Sequence, residues 1–259
     1  MKFKFKCEYD GTDFHGFQKQ KNGISVQQVL EEALSKYFQC NIEIVASGRT
    51  DKGVHATGQV CSFDLSDDYT PRFCARLKNK EDKFKVEIGV NSFLPSSVAI
   101  RDFEIAEENF HARFSAMAKT YTYKCSVSPV RSPLRDRFMV QLYKMPDIKV
   151  IQALASYLVG THDFSALSNP NTARENKIRT IKLFEVKLIN DEIIFNITGN
   201  SFLRNMVRII VGTLLEIGYS GMNVPDAIAY IEKVIVSKDR KMAGKTADAK
   251  GLCLVSVVY

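Results

Sequence analysis

The chain reads as an α+β protein of two ferredoxin-like lobes, with antiparallel or mixed sheets flanking a central cleft. Three observations predict this. Segments of period-two alternation and segments of helical apolar spacing follow one another as strand–helix–strand–strand–helix–strand, and that order occurs twice. The 259 residues, 45% hydrophobic and 25% charged, suit one large domain or two smaller ones, each able to bury a core. Charge is one-sided as well. Residues 1–105 carry 15 basic and 15 acidic groups, and residues 106–259 carry 21 and 14, so the whole +7 surplus lies in the second half. The expected lobes are therefore 1–105 and 106–259. No residue repeat accompanies the repeated order.

In the first half, Lys2 to Glu8 alternates with Phe3, Phe5 and Cys7 on one face, as a half-buried strand does. A polar loop runs from Tyr9 to Gly23. Ser25 and Gln28 form a Ser-x-x-Gln capping box, and Val26, Val29, Leu30, Ala33, Leu34 and Tyr37 recur at helical spacing. Strands are expected over 42–46 and 59–63. Thr70-Pro71 opens a helix through about Lys78. A charged loop (79–85) and an irregular stretch precede a strand over 98–105.

In the second half, Lys119 to Val127 alternates as a strand. Ile148 to Val159 reads as an amphipathic helix capped by Gly160. Strands 178–189 and 193–198 flank the hairpin turn Asn190-Asp191-Glu192. Phe202 to Ile217 reads as a helix burying Leu203, Met206, Val207, Ile210, Val211 and Leu214. Asn223 and Pro225 start another through Val236, and Leu252 to Val258 is the last strand.

Composition excludes a collagen, a disordered tail and a low-complexity linker. No apolar run spans a bilayer: the best, Met206 to Ile217, is short and holds Arg208 and Glu216. Met1 to Lys6 alternates charge and ring, unlike a signal peptide. The six cysteines show no CxxC spacing, which points to reduced, mostly buried thiols, a cytoplasmic location and no structural zinc. The four histidines make no HExxH, and neither a deaminase HxE with PCxxC nor a GxSxG elbow occurs. Ala243-Gly244-Lys245-Thr246 imitates the end of a P-loop, but Asp239 stands where the first glycine belongs. Asn196-Ile197-Thr198 fits a glycosylation sequon inside an expected strand. The one-sided basic surplus suits a polyanion such as nucleic acid, or else solvated lysine on helix faces.

The strongest local feature is the loop 47–58. Gly48, Gly53 and Gly58 bracket Arg49, Thr50, Asp51 and His55. Glycine allows backbone conformations that other residues resist and lets a bulky ligand approach. The same pattern also fits an Asx-turn with a surface ion pair. Residues 47–60, Ser-Gly-Arg-Thr-Asp-Lys-Gly-Val-His-Ala-Thr-Gly-Gln-Val, closely resemble the signature loop of the tRNA pseudouridine synthase A family. Further matches follow in the same order. Tyr9-Asp10-Gly11-Thr12 with Gly16-Phe17-Gln18 resembles the opening motif, and Asn91-Ser92-Phe93-Leu94-Pro95 an NxLLP segment. Residues 110–116 and 119–123 resemble the central block. Then come Gly160-Thr161-His162-Asp163-Phe164, Arg179-Thr180-Ile181, residues 202–208 with Gly212-Thr213-Leu214, residues 243–247 and Gly251-Leu252. The family's usual Trp in the opening motif is Phe17 here, and the loop 78–85 has no match.

The resemblance implies a pseudouridine synthase fold, and isomerisation of uridine to pseudouridine in the anticodon arm of tRNA at positions 38, 39 and 40. It implies a homodimer, no cofactor, no metal and no membrane. The family's catalytic aspartate corresponds to Asp51, which attacks either C6 of the uracil or the ribose C1′. A nucleophile kept ionised in a dry cleft needs a cation beside it, and Arg208 matches the family's basic residue for that role. Alternatively, Arg208 snorkels from a buried helix to solvent. Tyr121 matches the tyrosine beside the flipped uracil, though an alternating Tyr121/Tyr123 strand also suits plain sheet packing. Arg49 matches an arginine that holds the flipped nucleotide's place. His55 either lines the loop or is structural. Arg113, Lys119, Arg131, Arg135 and Arg137 are the expected phosphate contacts, with Lys124, Arg174, Lys177 and Arg179 nearby. Two rival readings remain: an inactive relative that chaperones tRNA, and a nuclease using Asp51 with a metal. The first predicts loss of Asp51, Tyr121 or Arg208, and the second needs further carboxylates near Asp51.

Overall fold

The structure, a computed structural model, describes residues 1–65, 80–171 and 176–259. The chain forms two compact units, Met1–Ala116 with Leu254–Tyr259, and Met117–Cys253. The expected division at 105/106 falls at the end of a strand. Residues 106–116 stay with the first unit because its backbone holds them: Ala106 N–H donates to Lys2 O at 3.0 Å, and Tyr259 Oη donates to Ala112 O at 2.7 Å.

The first unit is built from β1 (Lys2–Tyr9), α1 (Val26–Phe38), β2 (Val45–Ala46), β3 (His55–Asp64), α2 (Lys80–Asn91) and β4 (Val98–Ile105). Its strand order is β4-β1-β3-β2, every neighbouring pair antiparallel, the ferredoxin-like arrangement. The closing residues of β10 (Leu252–Val258) also lie beside β3. Ser25 caps α1 by accepting from Gln28 N–H at 3.2 Å. The core is aromatic: Phe3 packs on Phe63 (5.5 Å) and Phe103 (5.3 Å), which lie 6.3 Å from each other, and Phe38 meets Phe63 edge-on at 5.5 Å.

The helix expected over 70–78 lies outside the described residues. Where a charged loop and irregular stretch were expected, Lys80–Asn91 is helical. Its apolar residues Phe84, Val86, Ile88 and Val90 alternate with period two, which disguises the helix. Only Val86 and Val90 are buried, while Phe84 and Ile88 face water. Gly89 is required there because a Cβ would overlap the Tyr37 ring. Asn91 then pins β4, donating to Ile100 O at 2.9 Å and accepting from Ile100 N–H at 2.8 Å. The second expected strand shrinks to two residues, and the third starts four residues earlier, at His55.

The second unit contains β5 (Ala118–Val127), β6 (Val140–Leu142), α3 (Ile148–Tyr157), β7 (Gly160–Asp163), β8 (Ile178–Ile189), β9 (Glu192–Gly199), α4 (Met206–Tyr219) and α5 (Val224–Ser237). Its sheet runs β5-β9-β8-β7, antiparallel throughout, with β6 parallel to β5. β6 and β7 were not expected. Gly160, read as a helix cap, instead opens β7 with φ +117, after α3 has ended at Leu158. The β8–β9 turn is the pair Asn190-Asp191, since Ile189 already faces Glu192. α4 starts at Met206, not Phe202, because Asn205 adopts φ +59, a left-handed conformation no helix continues through.

Cys7, Cys40, Cys61, Cys125 and Cys253 are free, and Cys7, Cys61 and Cys125 are buried. Burial pushes the Cys125 thiol up to about 12 and raises those of Cys7 and Cys61 further. Alkylation of the native chain at pH 8, followed by peptide mass spectrometry, should therefore leave these three unmodified until denaturant is added. Phe63→Ala should cost the chain about 3–5 kcal/mol in chemical denaturation.

Candidate active site

The loop between β2 and β3 is short of regular structure but rich in fixed polar contacts. At its base, the buried Ser47 hydroxyl donates to Gln59 Oε1 at 2.6 Å, and Gln59 Nε2 donates to Gly48 O at 2.9 Å. Ser47 N–H donates to Val60 O at 2.8 Å. At its tip, residues 51–54 form a turn in which Val54 N–H donates to Asp51 O at 3.1 Å, and Gly53 takes φ +77. That conformation is why glycine stands there. Arg49 and Lys52 are exposed, Thr50 is buried, and Asp51 is half-buried between them.

The polar segment after β1 clamps this loop. Tyr9 Oη and Thr50 Oγ1 share a buried hydrogen bond of 2.7 Å. Phe17 N–H donates to Thr50 O at 3.1 Å. Gly11 N–H lies 3.0 Å from His55 Nδ1 as donor, and Asp10 Oδ1 lies 3.2 Å from the same nitrogen. A Cβ on Gly11 would overlap the Val54 carbonyl, and one on Gly16 would press on Thr50 O at 3.0 Å. Both glycines of the opening motif are thus spacers that let two backbones touch. His55 is only 4% exposed.

The other candidates in the first unit are Arg49 and Arg113. Arg113 is exposed, with its guanidinium 5.5 Å from the Phe114 ring centre.

In the second unit, Tyr121 lies on β5 opposite Ile197 of β9, buried, with its ring edge-on to Phe202 at 5.2 Å and 89°. Arg208 occupies the first turn of α4, half-buried. It does not simply snorkel: its Nε donates to Ala247 O at 2.8 Å, and Ala247 N–H donates back to Arg208 O at 3.1 Å. This tether holds the guanidinium through its Nε. The loop 243–247 is stitched to α4 by Gly244 N–H to Thr213 Oγ1 (3.0 Å) and Lys245 N–H to Glu216 Oε1 (2.8 Å). Gly212 lies against the Lys245 carbonyl, where no side chain fits. The resemblance to a P-loop therefore ends in a support for Arg208. Next to it Tyr123 is fully buried and donates to Asp248 O at 2.9 Å; burial raises its phenol well above the usual range, opposed weakly by Arg208.

The expected phosphate contacts divide in two. Arg131 and Arg137 are exposed, and Lys119 is half-buried on β5. Arg135 is already engaged, 2.7 Å from Asp191 Oδ2 and 3.7 Å from Glu192 Oε1. Lys250 holds Asp136 at 2.7 Å and keeps that carboxyl below its usual range. The stretch 128–137 is thus braced by ion pairs at two adjacent residues, Arg135 and Asp136.

The paired α+β units and their clamped loop are those of a pseudouridine synthase. A family model described as tRNA pseudouridine synthase matches residues 7–115 and 154–259. The chain is 42% identical to a tRNA pseudouridine synthase A of Syntrophotalea carbinolica, across 97% of this chain and 94% of that protein. It is 41% identical to one of Brevibacillus brevis, across 97% and 96%, and 40% identical to one of Clostridium kluyveri, across 99% and 98%. The chain belongs to the tRNA pseudouridine synthase family, and it is an isomerase. Among the described residues no helix is long and apolar enough to cross a membrane.

The clamp makes two predictions. A double-mutant cycle of Tyr9→Phe and Thr50→Val should give a coupling of roughly 0.5–1.5 kcal/mol in equilibrium unfolding. Gly11→Ala should destabilise the chain by roughly 2 kcal/mol or more, because backbone rather than a flexible side chain must give way; an unchanged melting temperature would contradict the close packing.

Proposed function

We propose that this chain isomerises uridine to pseudouridine in the anticodon stem-loop of tRNA, at positions 38, 39 and 40, with Asp51 as nucleophile on a flipped-out uridine. The observation that carries this reading is the loop itself: a carboxylate on a glycine-hinged turn whose neighbours on both sides are hydrogen-bonded into the fold. A nucleophile that need not be ordered at the moment of reaction loses little entropy on attack. The names of the relatives and the basic surplus of residues 106–259 support the tRNA substrate.

The chemistry detaches the uracil, turns it, and rejoins it to the ribose through C5, whose proton is released. Substrate and product have the same atoms and oxidation level, so no redox cofactor is needed. Asp51 bonds either C6 or C1′ in the course of this. Arg208 is the cation that keeps Asp51 ionised against desolvation. Tyr121 supports the extruded base, with Phe202 behind its ring, and Arg49 occupies the place the base leaves. Extrusion costs a few kcal/mol, and these contacts offset it. In this reading residues 1–105 carry the catalytic loop and the later residues supply RNA binding and complete the site. The enzyme acts as a homodimer in the cytoplasm, where its substrate is. Arg113, Lys119, Arg131, Arg135 and Arg137 bind phosphates.

Tritium release from C5-labelled uridine in unmodified tRNA tests the assignment. Asp51→Asn should abolish release while tRNA affinity stays within about twofold, since the amide keeps the shape but cannot attack. Retained turnover would refute Asp51 as the nucleophile. Arg208→Met should lower kcat far more than affinity; an equal fall in both would mark it as a phosphate contact. Arg131→Ala should weaken binding and reduce the slope of log K against log salt by about 1.

A further inference from the structure

The turn 110–115 carries a feature that the catalytic reading does not use. Phe114 is 77% exposed, yet it is not a loose surface side chain. His111 Nδ1 accepts from both Arg113 N–H (3.1 Å) and Phe114 N–H (3.2 Å), and Ser115 N–H donates to His111 O at 3.0 Å while Ser115 Oγ accepts from His111 N–H at 3.1 Å. The turn is bolted to the first unit through the fully buried Ala112, whose carbonyl accepts from Tyr259 Oη, and through Phe110, whose ring lies 4.8 Å from that of Tyr259. Above this base, the His111 and Phe114 rings stand 4.3 Å apart, with Arg113 over Phe114.

We propose that Phe114, with Arg113, is a stacking platform for an unpaired base of the RNA substrate, a contact separate from the extruded uridine's pocket and resting on the tRNA reading above. An isolated exposed apolar side chain needs no explanation. A ring held by a hydrogen-bonded turn, next to a guanidinium, is different. It presents a flat π-face at little entropic cost, beside a cation that suits both a base face and the adjoining phosphate. Neither a membrane nor an acidic peptide calls for a fixed flat ring with one arginine against it. Stacking on such a ring is tolerant of base identity, so the platform adds affinity and register rather than sequence readout.

The test uses the full chain and an unmodified tRNA transcript. Phe114→Ala should weaken equilibrium binding about 5- to 100-fold, with the melting temperature and the slope of log K against log salt unchanged. Phe114→Tyr should bind like wild type, whereas Phe114→Leu, equally apolar but without a π-face, should bind like the alanine variant. A transcript carrying 2-aminopurine in the anticodon loop should show fluorescence quenching with wild type that is lost with Phe114→Ala. Three results would overturn the platform: wild-type affinity for Phe114→Ala, wild-type affinity for Phe114→Leu, or weakened binding that follows from a changed oligomeric state in sedimentation, which would assign the ring to a second copy of the chain. Wild-type protein that neither bound nor isomerised the transcript would overturn the tRNA reading itself. Normal conversion by wild type with no effect at Phe114 would overturn only the platform.

Discussion

Everything proposed for Asp51 depends on how the preceding and following residues are held. Thr50 is bonded through both its hydroxyl and its carbonyl, to Tyr9 and Phe17. Four residues later, the imidazole of His55 receives the Gly11 amide. Asp51 sits between these anchors on a turn that only Gly53 lets close. The two anchors come from one polar segment, and that segment can lie so near only because residues 11 and 16 lack side chains. Each hydrogen bond contributes roughly 1 kcal/mol, and together they hold the backbone on both sides of Asp51.

The second unit treats its candidate cation in a related way. Arg208 is presented on the first turn of α4, where the helix dipole gives a cation no help and another partner must hold it. The Ala247 carbonyl does so, and it is itself placed by the loop stitched to Thr213 and Glu216. Both units thus brace an irregular segment with hydrogen bonds beside a charged side chain. Elsewhere in the second unit, Arg135 pairs with Asp191 and Lys250 with Asp136.

Most of the fold was legible because period and caps agreed. Phe3, Phe5 and Cys7 marked β1, and Ser25 and Asn223 each begin their helices as read. The failures share a cause. Phe84, Val86, Ile88 and Val90 have strand spacing inside a helix, since α2 exposes two of them. Gly160 and Asn205 have backbone conformations that only the folded chain reveals, so α3 and α4 were drawn too long. The loop 47–58 stood out by its glycines and charges, but its clamp did not. Tyr9 lies 41 residues from Thr50 and Gly11 lies 44 from His55, so no local pattern announces their meeting.

Amide hydrogen exchange in the free full-length chain tests the preformed loop most directly. The Gly11, Phe17 and Val54 amides should exchange in the same slow class as the paired amides of β1 and β3, and His55→Ala should release Gly11 while leaving Phe17 protected. Exchange of Gly11 and Phe17 at unprotected rates in the wild type would mean that Asp51 is ordered only by substrate, and would contradict the clamp.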